Sequence, residues 1–175
     1  MKILETARLV LRTIDADDAA FYLALVNQPT FLRHIGDKGV RTLEQARAAI
    51  VQGPQAMQAR HGFSLYLVER KDDLAALGIC GLIKRDSLPD VDIGYAIAAQ
   101  YQGCGYAYEA AVGVLAYAEL SLGLPRLLGV AAPDNLQSNR LLLKLGLRFD
   151  QFMPPVLDFR GGNVYQCQFC AQLLP

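Results

Sequence analysis

Three runs of alternating apolar residues, FSLYLVER (63–70), LGICGLIKR (77–85) and VDIGYAIA (91–98), follow one another with short polar breaks, one around Asp72 and Asp73 and one at DSLPD. Strands joined by so few residues pair in antiparallel order, because a parallel pair needs a crossover of a dozen residues or more. This meander constrains everything else, since the flanking segments must cover its two faces. RLVLRTI (8–14) alternates as an earlier strand, and Asp15 can cap a helix carrying Ala19, Phe21, Tyr22, Leu25 and Val26, closed by Pro29. Thr42 and Gln45 form a capping box before EQARAAIVQ, and Gly53-Pro54 interrupts before a further short helix reaching about Arg60.

Beyond the meander, Ala107, Ala110, Ala111, Val114, Leu115, Ala118 and Leu122 share one face at helical spacing, and Gly123 with Pro125 ends that helix. RLLGVAA (126–132) is a short apolar strand. A helix from about Leu136 to Leu145 stops at Gly146, and strands around LRFDQF and VYQCQFCAQL, joined through FRGG, finish the chain. The order β, helices, βββ, α, β, α, ββ predicts an α/β (α+β) fold: a mixed, mostly antiparallel central sheet of about seven strands with helices on both faces. With 53% hydrophobic residues in 175, the length favours one domain over residues 1–175.

Charge and cysteine content exclude several function classes. Lys plus Arg and Asp plus Glu number 17 each, so no general basic excess attracts nucleic acid or an anionic membrane. The start MKILETARLVLR has no apolar signal core and no run is long enough to span a bilayer, so the expectation is a soluble, cytoplasmic protein. CQFC, Cys167 and Cys170, has redox spacing but lies in a strand-like run rather than opening a helix. Cys80 and Cys104 stand apart from it, and His34 and His61 are isolated, so no metal site is expected.

The segment QYQGCGYAYEAA places Gly103 and Gly105 between a strand and a helix. Free backbone N–H groups at such a helix start, reinforced by the helix dipole, suit a diphosphate. A phosphate loop of the Gly-Lys-Ser/Thr kind is absent after Gly103, and Tyr108 fills the position where a dinucleotide fingerprint wants a small residue. A turn required only by chain geometry remains the alternative reading.

QGCGYA, Gln102 to Ala107, resembles the Q/R-x-x-G-x-G/A pyrophosphate loop of the GNAT N-acetyltransferase superfamily. TARLVLRTIDADDA (6–19) looks like the opening of its RimJ/RimL-type branch, IGYAI (93–97) like its fourth strand and NLQSNRLLLKLGLRF (135–149) like its N-x-x-S…K-x-G-F segment. The resemblance implies the GNAT fold and transfer of acetyl from acetyl-CoA to a primary amine by direct sequential transfer. The amine would belong to a protein N-terminus or a small molecule. The charge balance and the isolated Cys and His residues above give the expectation of no metal, no nucleic acid and no membrane partner, and a homodimer is left open. Gln102, Gly103, Cys104, Gly105, Tyr106 and Ala107 would hold the coenzyme A diphosphate through backbone N–H groups, with no role implied for the Cys104 thiol. Ile97, Ala98 and Ala99 would pair with the pantetheine, the Ile97 N–H meeting the thioester carbonyl; Asn135 and Ser138 would lie beside the cofactor.

Amine acetylation requires a neutral nucleophile, hence a base, and the departing thiolate gains from a nearby donor. Many family members place a tyrosine seven residues after the Asn, where this chain has Leu142. Ser138 is then the donor that resemblance to the RimL type supplies. Asp92 stands where relatives often carry a carboxylate before I-G-Y, although the alternation of VDIGYAI equally suits a solvent-facing aspartate. Asp90, Glu69 and His34 are further base candidates. Asn135 also suits a helix cap, and Glu109 helix-start electrostatics. The acceptor groove is expected between residues 16–61 and the last hairpin, with Phe31, Arg33, His34, Tyr66, Phe152 and Tyr165 as candidate lining. The absence of a donor at position 142 leaves one alternative of another class, an acyl-CoA-binding module with weak catalysis.

Overall fold

The computed structural model describes residues 1–156 and 159–169. Eight strands form one sheet: β1 (Lys2–Glu5), β2 (Leu9–Thr13), β3 (Leu65–Arg70), β4 (Ala76–Ile83), β5 (Asp92–Ile97), β6 (Arg126–Ala131), β7 (Arg148–Met153) and β8 (Gly162–Gln168). Their order is β1-β2-β3-β4-β5-β6-β8-β7. Every neighbouring pair is antiparallel except β5 with β6. The helices are α1 (Ala19–Val26), α2 (Pro29–His34), α3 (Leu43–Ile50), α4 (Ala56–His61), α5 (Tyr106–Leu120) and α6 (Leu136–Lys144).

Strand alternation sends side chains to two cores. Tyr66 and Val68 of β3 join Ala110, Ala111, Val114 and Ala118 of α5, whose small residues let the helix lie close on the sheet. On the opposite face Leu67 and Ile79 pack with Leu25, Val26, Ala46 and Ile50 from α1 and α3. Glu109 ties α5 to the start of the chain, accepting from Thr6 Oγ1 at 2.6 Å, the Arg8 N–H at 2.8 Å and Arg8 Nε at 2.6 Å. That contact is more than helix-start electrostatics: it anchors the β1–β2 turn on α5.

The mixed, mostly antiparallel sheet with helices on both faces is the one the element order predicts, with three local differences. The short KILE segment pairs with β2 as an additional edge strand, which four half-exposed residues gave little alternation to reveal. α1 ends at Val26, before Pro29 as expected, but Pro29 then opens a further short helix, α2, in whose first turn its missing N–H costs nothing. Gly53-Pro54 does not break the chain either, because Val51–Gln55 continues as a π-helical turn between α3 and α4. The wider turn accommodates a residue unable to donate to the helical ladder. Of the final apolar run, residues up to Phe169 are described; Cys170 and the rest lie outside the described residues. Among those described, no helix is long and apolar enough to cross a membrane.

The meander leaves no room at two of its glycines. A Cβ on Gly81 would stand 2.1 Å from the Ser64 carbonyl oxygen and 2.8 Å from Leu65 Cα, both backbone atoms unable to move alone. Gly81→Ala is expected to destabilise the protein by about 3 kcal/mol or more, the upper end of overpacking costs, read as a lower urea midpoint. An unchanged midpoint would show that β3 and β4 are not packed this closely.

Candidate active site

At the β5–α5 junction Gly103 and Gly105 adopt φ of 78° and 81°, the left-handed region that glycine enters without strain. Gly105 is the N-cap of α5 and offers no capping side chain. The N–H groups from Gly103 to Tyr108 therefore meet no acceptor among the described residues. Nothing lies within 4 Å of the position a Cβ would take on Gly103, so the turn is open. Gln102 bends back so that its Nε2 donates to the Ile97 carbonyl at 2.9 Å, fixing the turn against the end of β5. A diphosphate fits such a set of donors, since the first turn of a 15-residue helix adds its dipole to them. Arg8 stacks on the Tyr106 ring with its Cζ 4.5 Å from the centroid, and its Nη1 donates to the Cys104 carbonyl at 3.2 Å. Cys104 is exposed within the turn.

Next to this turn the sheet opens. β5 pairs with β6 only at Asp92 with Leu128 and Ile93 with Gly129. On the other side β5 stays paired with β4 as far as Ile97, and the Ala98 N–H donates to the Leu77 carbonyl at 2.8 Å. Because N–H groups along a strand alternate in direction, that of Ile97 points away from β4 and into the gap. Ala98 is buried beneath the turn, and the Ala99 N–H is taken by Gln28 Oε1 at 2.9 Å.

Asp92 begins β5 and is only 1% exposed, not solvent-facing, because Arg85 folds back over it with Nε 3.0 Å from Oδ1. Burial pushes its carboxyl up to about 6 against the opposing pull of the Arg85 charge. It stands five residues before Ile97, about 16 Å along the strand, so the two ends of β5 carry different chemistry.

Across the gap, Asn135 caps α6 by accepting from the Ser138 N–H at 3.1 Å. Ser138 Oγ lies 2.8 Å from the Tyr95 hydroxyl, a pair in which either oxygen can donate, and the Tyr95 hydroxyl can instead donate to the Ser138 carbonyl at 3.3 Å. Burial raises the Tyr95 phenol above its ordinary value, which keeps it protonated and leaves it as a donor. Tyr95 was legible only as part of IGYAI. Its partner is 43 residues away, so no local signal marked the pair. Leu142 is fully buried over Gly129, with its Cδ2 2.4 Å from where a Cβ there would sit, so this position belongs to the core rather than to the gap.

The turn, the gap and the α6 start open into one cavity of about 1640 Å³. Ile97, Gln102, Gly103, Asn135 and Ser138 line it toward the glycine turn, and Asp92 lines it too. Of the residues proposed for an acceptor groove, Phe31 and His34 line the cavity, while Arg33 is at its rim on Asp134 at 3.1 Å. Tyr66 and Tyr165 do not: Tyr66 is in the core against Tyr117, and the Tyr165 hydroxyl donates to Asn139 Oδ1 at 2.6 Å. Phe152 is exposed on the edge strand β7 and is not part of the lining. Asp90 pairs with Arg126 and Glu69 with Arg12, and neither lines the cavity. Lys38, Arg85 and Arg160 line the cavity without having been singled out in the sequence, where isolated basic residues carry no pattern.

Comparison with known proteins agrees with this geometry. The sequence profile of the acetyltransferase (GNAT) domain matches residues 8–148. The uncharacterized N-acetyltransferase YoaA of Bacillus subtilis (strain 168) is 33% identical over 164 residues, covering 93% of this chain and 92% of that protein. Among solved structures, an acetyltransferase from Agrobacterium tumefaciens str. C58 is similar with a TM-score of 0.81 at 23% identity, over 97% of this chain and 95% of that one. RimL, a ribosomal L7/L12 α-N-protein acetyltransferase in complex with coenzyme A, is similar with a TM-score of 0.78 at 19% identity, over 96% and 98% of the two chains. At these identities the structural likeness speaks to the fold.

The buried carboxyl of Asp92 makes a pH prediction. Its folded value of about 6 lies above its ordinary 3.8. The folded state therefore holds a proton that the unfolded state releases, and stability from this group is complete below about pH 4 and lost as the pH rises through 6. The loss amounts to about 3 kcal/mol. Asp92→Asn removes the titration, so the stability of the natural protein relative to this variant should fall by that amount between pH 4 and pH 7 in urea unfolding. A difference independent of pH would contradict the burial described.

Proposed function

This chain belongs to the GNAT acetyltransferase domain family, and from that premise we propose that it transfers acetyl from acetyl-CoA directly to a primary amine. The observation that carries the reading is the row of unpartnered N–H groups from Gly103 to Tyr108 opening into the same cavity as the β5–β6 gap. Acetyl-CoA, when bound, supplies an acyl group already activated as a thioester. Gln102, Gly103, Cys104, Gly105, Tyr106 and Ala107 would hold its diphosphate by backbone donors, and Ile97 would pair with its pantetheine arm. The N–H groups of Ala98 and Ala99, expected to pair with it too, are taken by the Leu77 carbonyl and Gln28 Oε1. Such a binding site depends on backbone direction, so it tolerates Cys104 within the turn.

The Ile97 N–H, directed into the gap, would serve as an oxyanion donor, a role worth about 3 to 4 kcal/mol at other acyl-transfer sites. The Tyr95 hydroxyl has one proton; when that proton goes to the Ser138 hydroxyl oxygen rather than to the Ser138 carbonyl, the hydroxyl proton of Ser138 is left for the departing sulfur. Asp92, held near neutrality by burial, suits acceptance of a proton around pH 6 to 7. Its position about 16 Å along β5 from Ile97 is farther than one water spans, so a chain of waters would have to carry the proton to it. The likeness to a ribosomal-protein acetyltransferase supports a protein N-terminal amine as acceptor, with a small amine as the other source.

Acetyl-CoA at about a hundred times its Kd should raise the Tm by about 5 to 10 °C, with free coenzyme A released in the presence of amine. Stabilisation without turnover on any amine would favour the binding module, and no stabilisation would remove the cofactor assignment. Ser138→Ala is expected to lower kcat about tenfold or more while leaving the KM for acetyl-CoA within about twofold. An unchanged kcat would leave the sulfur without this donor. The acid limb of the kcat profile should have an apparent pKa of about 6, as Asp92 does, and disappear in Asp92→Asn.

A further inference from the structure

The end of the cavity remote from the glycine turn carries a charge imbalance. Lys38 from the α2–α3 loop, Arg85 from the end of β4 and Arg160 from the β7–β8 loop line it. Three carboxylates line the cavity as well, but each is held by an arginine: Asp37 by Arg41 at 2.5 Å, Asp134 by Arg33 at 3.1 Å and Asp92 by Arg85 at 3.0 Å. Lys38 and Arg160 meet no carboxylate among the described residues.

Arg160 crosses from its own hairpin onto the α2–α3 loop. Its Nη1 donates to the Leu32 carbonyl at 3.4 Å, and its Cδ and Nη1 come within 3.0 Å of where a Cβ on Gly36 would stand, two residues before Lys38. Any side chain at Gly36, whose φ is 122°, would displace the guanidinium. Desolvation, and after it repulsion from Arg85 and Arg160, holds the Lys38 ammonium below its ordinary value. Lys38 itself is solvent-exposed and lies two residues along the loop from Gly36, against which the Arg160 side chain packs. Like charges gathered along one concave wall add to a positive potential in the space they face.

We infer that the acceptor amine carries an anionic group, a carboxylate or a phosphate, and that Lys38 and Arg160, together with Arg85, receive it. The inference rests on the transfer reading of this same cavity. It also limits the acceptor's shape. Arg85 is anchored on Asp92, about 16 Å along β5 from Ile97, and the basic side chains reach back over only part of that distance. The anion therefore belongs several bonds from the reacting amine, as on a residue near the start of an extended peptide, and not on the amine's own α-carbon.

The test uses tetrapeptide amides with a free N-terminus that differ only in the last residue: glutamate, phosphoserine or glutamine. With the full chain, glutamate or phosphoserine should exceed glutamine in kcat/KM by about tenfold or more, and the larger of the two ratios identifies the anion. In Lys38→Met/Arg160→Met the ratio should fall toward one, as it should at raised ionic strength. Equal turnover of all three peptides would overturn the inference and leave the transfer reading standing. Calorimetric titration of the same peptides without acetyl-CoA separates the two ideas. Tighter binding of a charged peptide, lost in the double variant, with no turnover of any, would uphold the anion site and overturn the transfer reading. Absence of both turnover and charge-dependent binding would overturn the inference itself.

Discussion

The parting of β5 from β6 is the constraint on which the rest of the architecture depends. Two parallel strands that hold register for two residue pairs and then separate leave backbone groups facing a gap instead of each other. Buried backbone donors without partners are costly, so such a gap persists only where the surrounding structure enforces it and where a ligand or water can use it. Here β4 grips β5 along its length from one side, while α5 and α6 pack behind the two strands. The side chains of Leu142 and Leu147 fill the space over Gly129, so the strand that leaves the pair does so over a packed core.

The glycine turn completes that gap. Gly105 lets the chain reverse from β5 into α5 with no capping side chain, and Gln102 ties the turn to the last carbonyl of β5. The helix start is thus held against the opening by backbone conformation and by one side-chain amide. Arg8 and Glu109 brace its outer side through the β1–β2 turn, joining residues about a hundred positions apart. The same economy appears at α6, where Asn139 bonds the Ala132 and Asn135 carbonyls and accepts from Asn163 and Tyr165. Those contacts hold the helix that carries Ser138 to β8.

The electrostatics divide the cavity between two ends. Toward the turn the useful groups are backbone donors with a helix dipole, which hold charge without titrating. Toward the start of β5 they are side chains: Asp92 raised by burial, Arg85 upon it, and Lys38 and Arg160 brought in from separate loops. This arrangement suits a transfer in which one partner is gripped by fixed geometry and the other is selected by charge. Loops that differ freely in sequence can change the second without disturbing the first.

The sequence by itself determined the elements and the turn between them. Alternation marked β2 to β5, a short apolar run marked β6, the capping box marked α3, and two glycines before an alanine-rich helical face marked the β5–α5 junction, because all of these are interactions within a few residues. It was less informative wherever local signals were short or ambiguous, as at β1 and at Pro29. Only the tertiary structure decided which side chains meet. Asp92 has the alternation of a surface residue and is buried because Arg85 closes over it; Tyr95 reaches Ser138 across 43 residues, and Arg160 reaches Leu32 across 128. Periodicity records which face of a strand a residue takes, whereas the partner on that face depends on where the sheet opens and how distant loops fold over it.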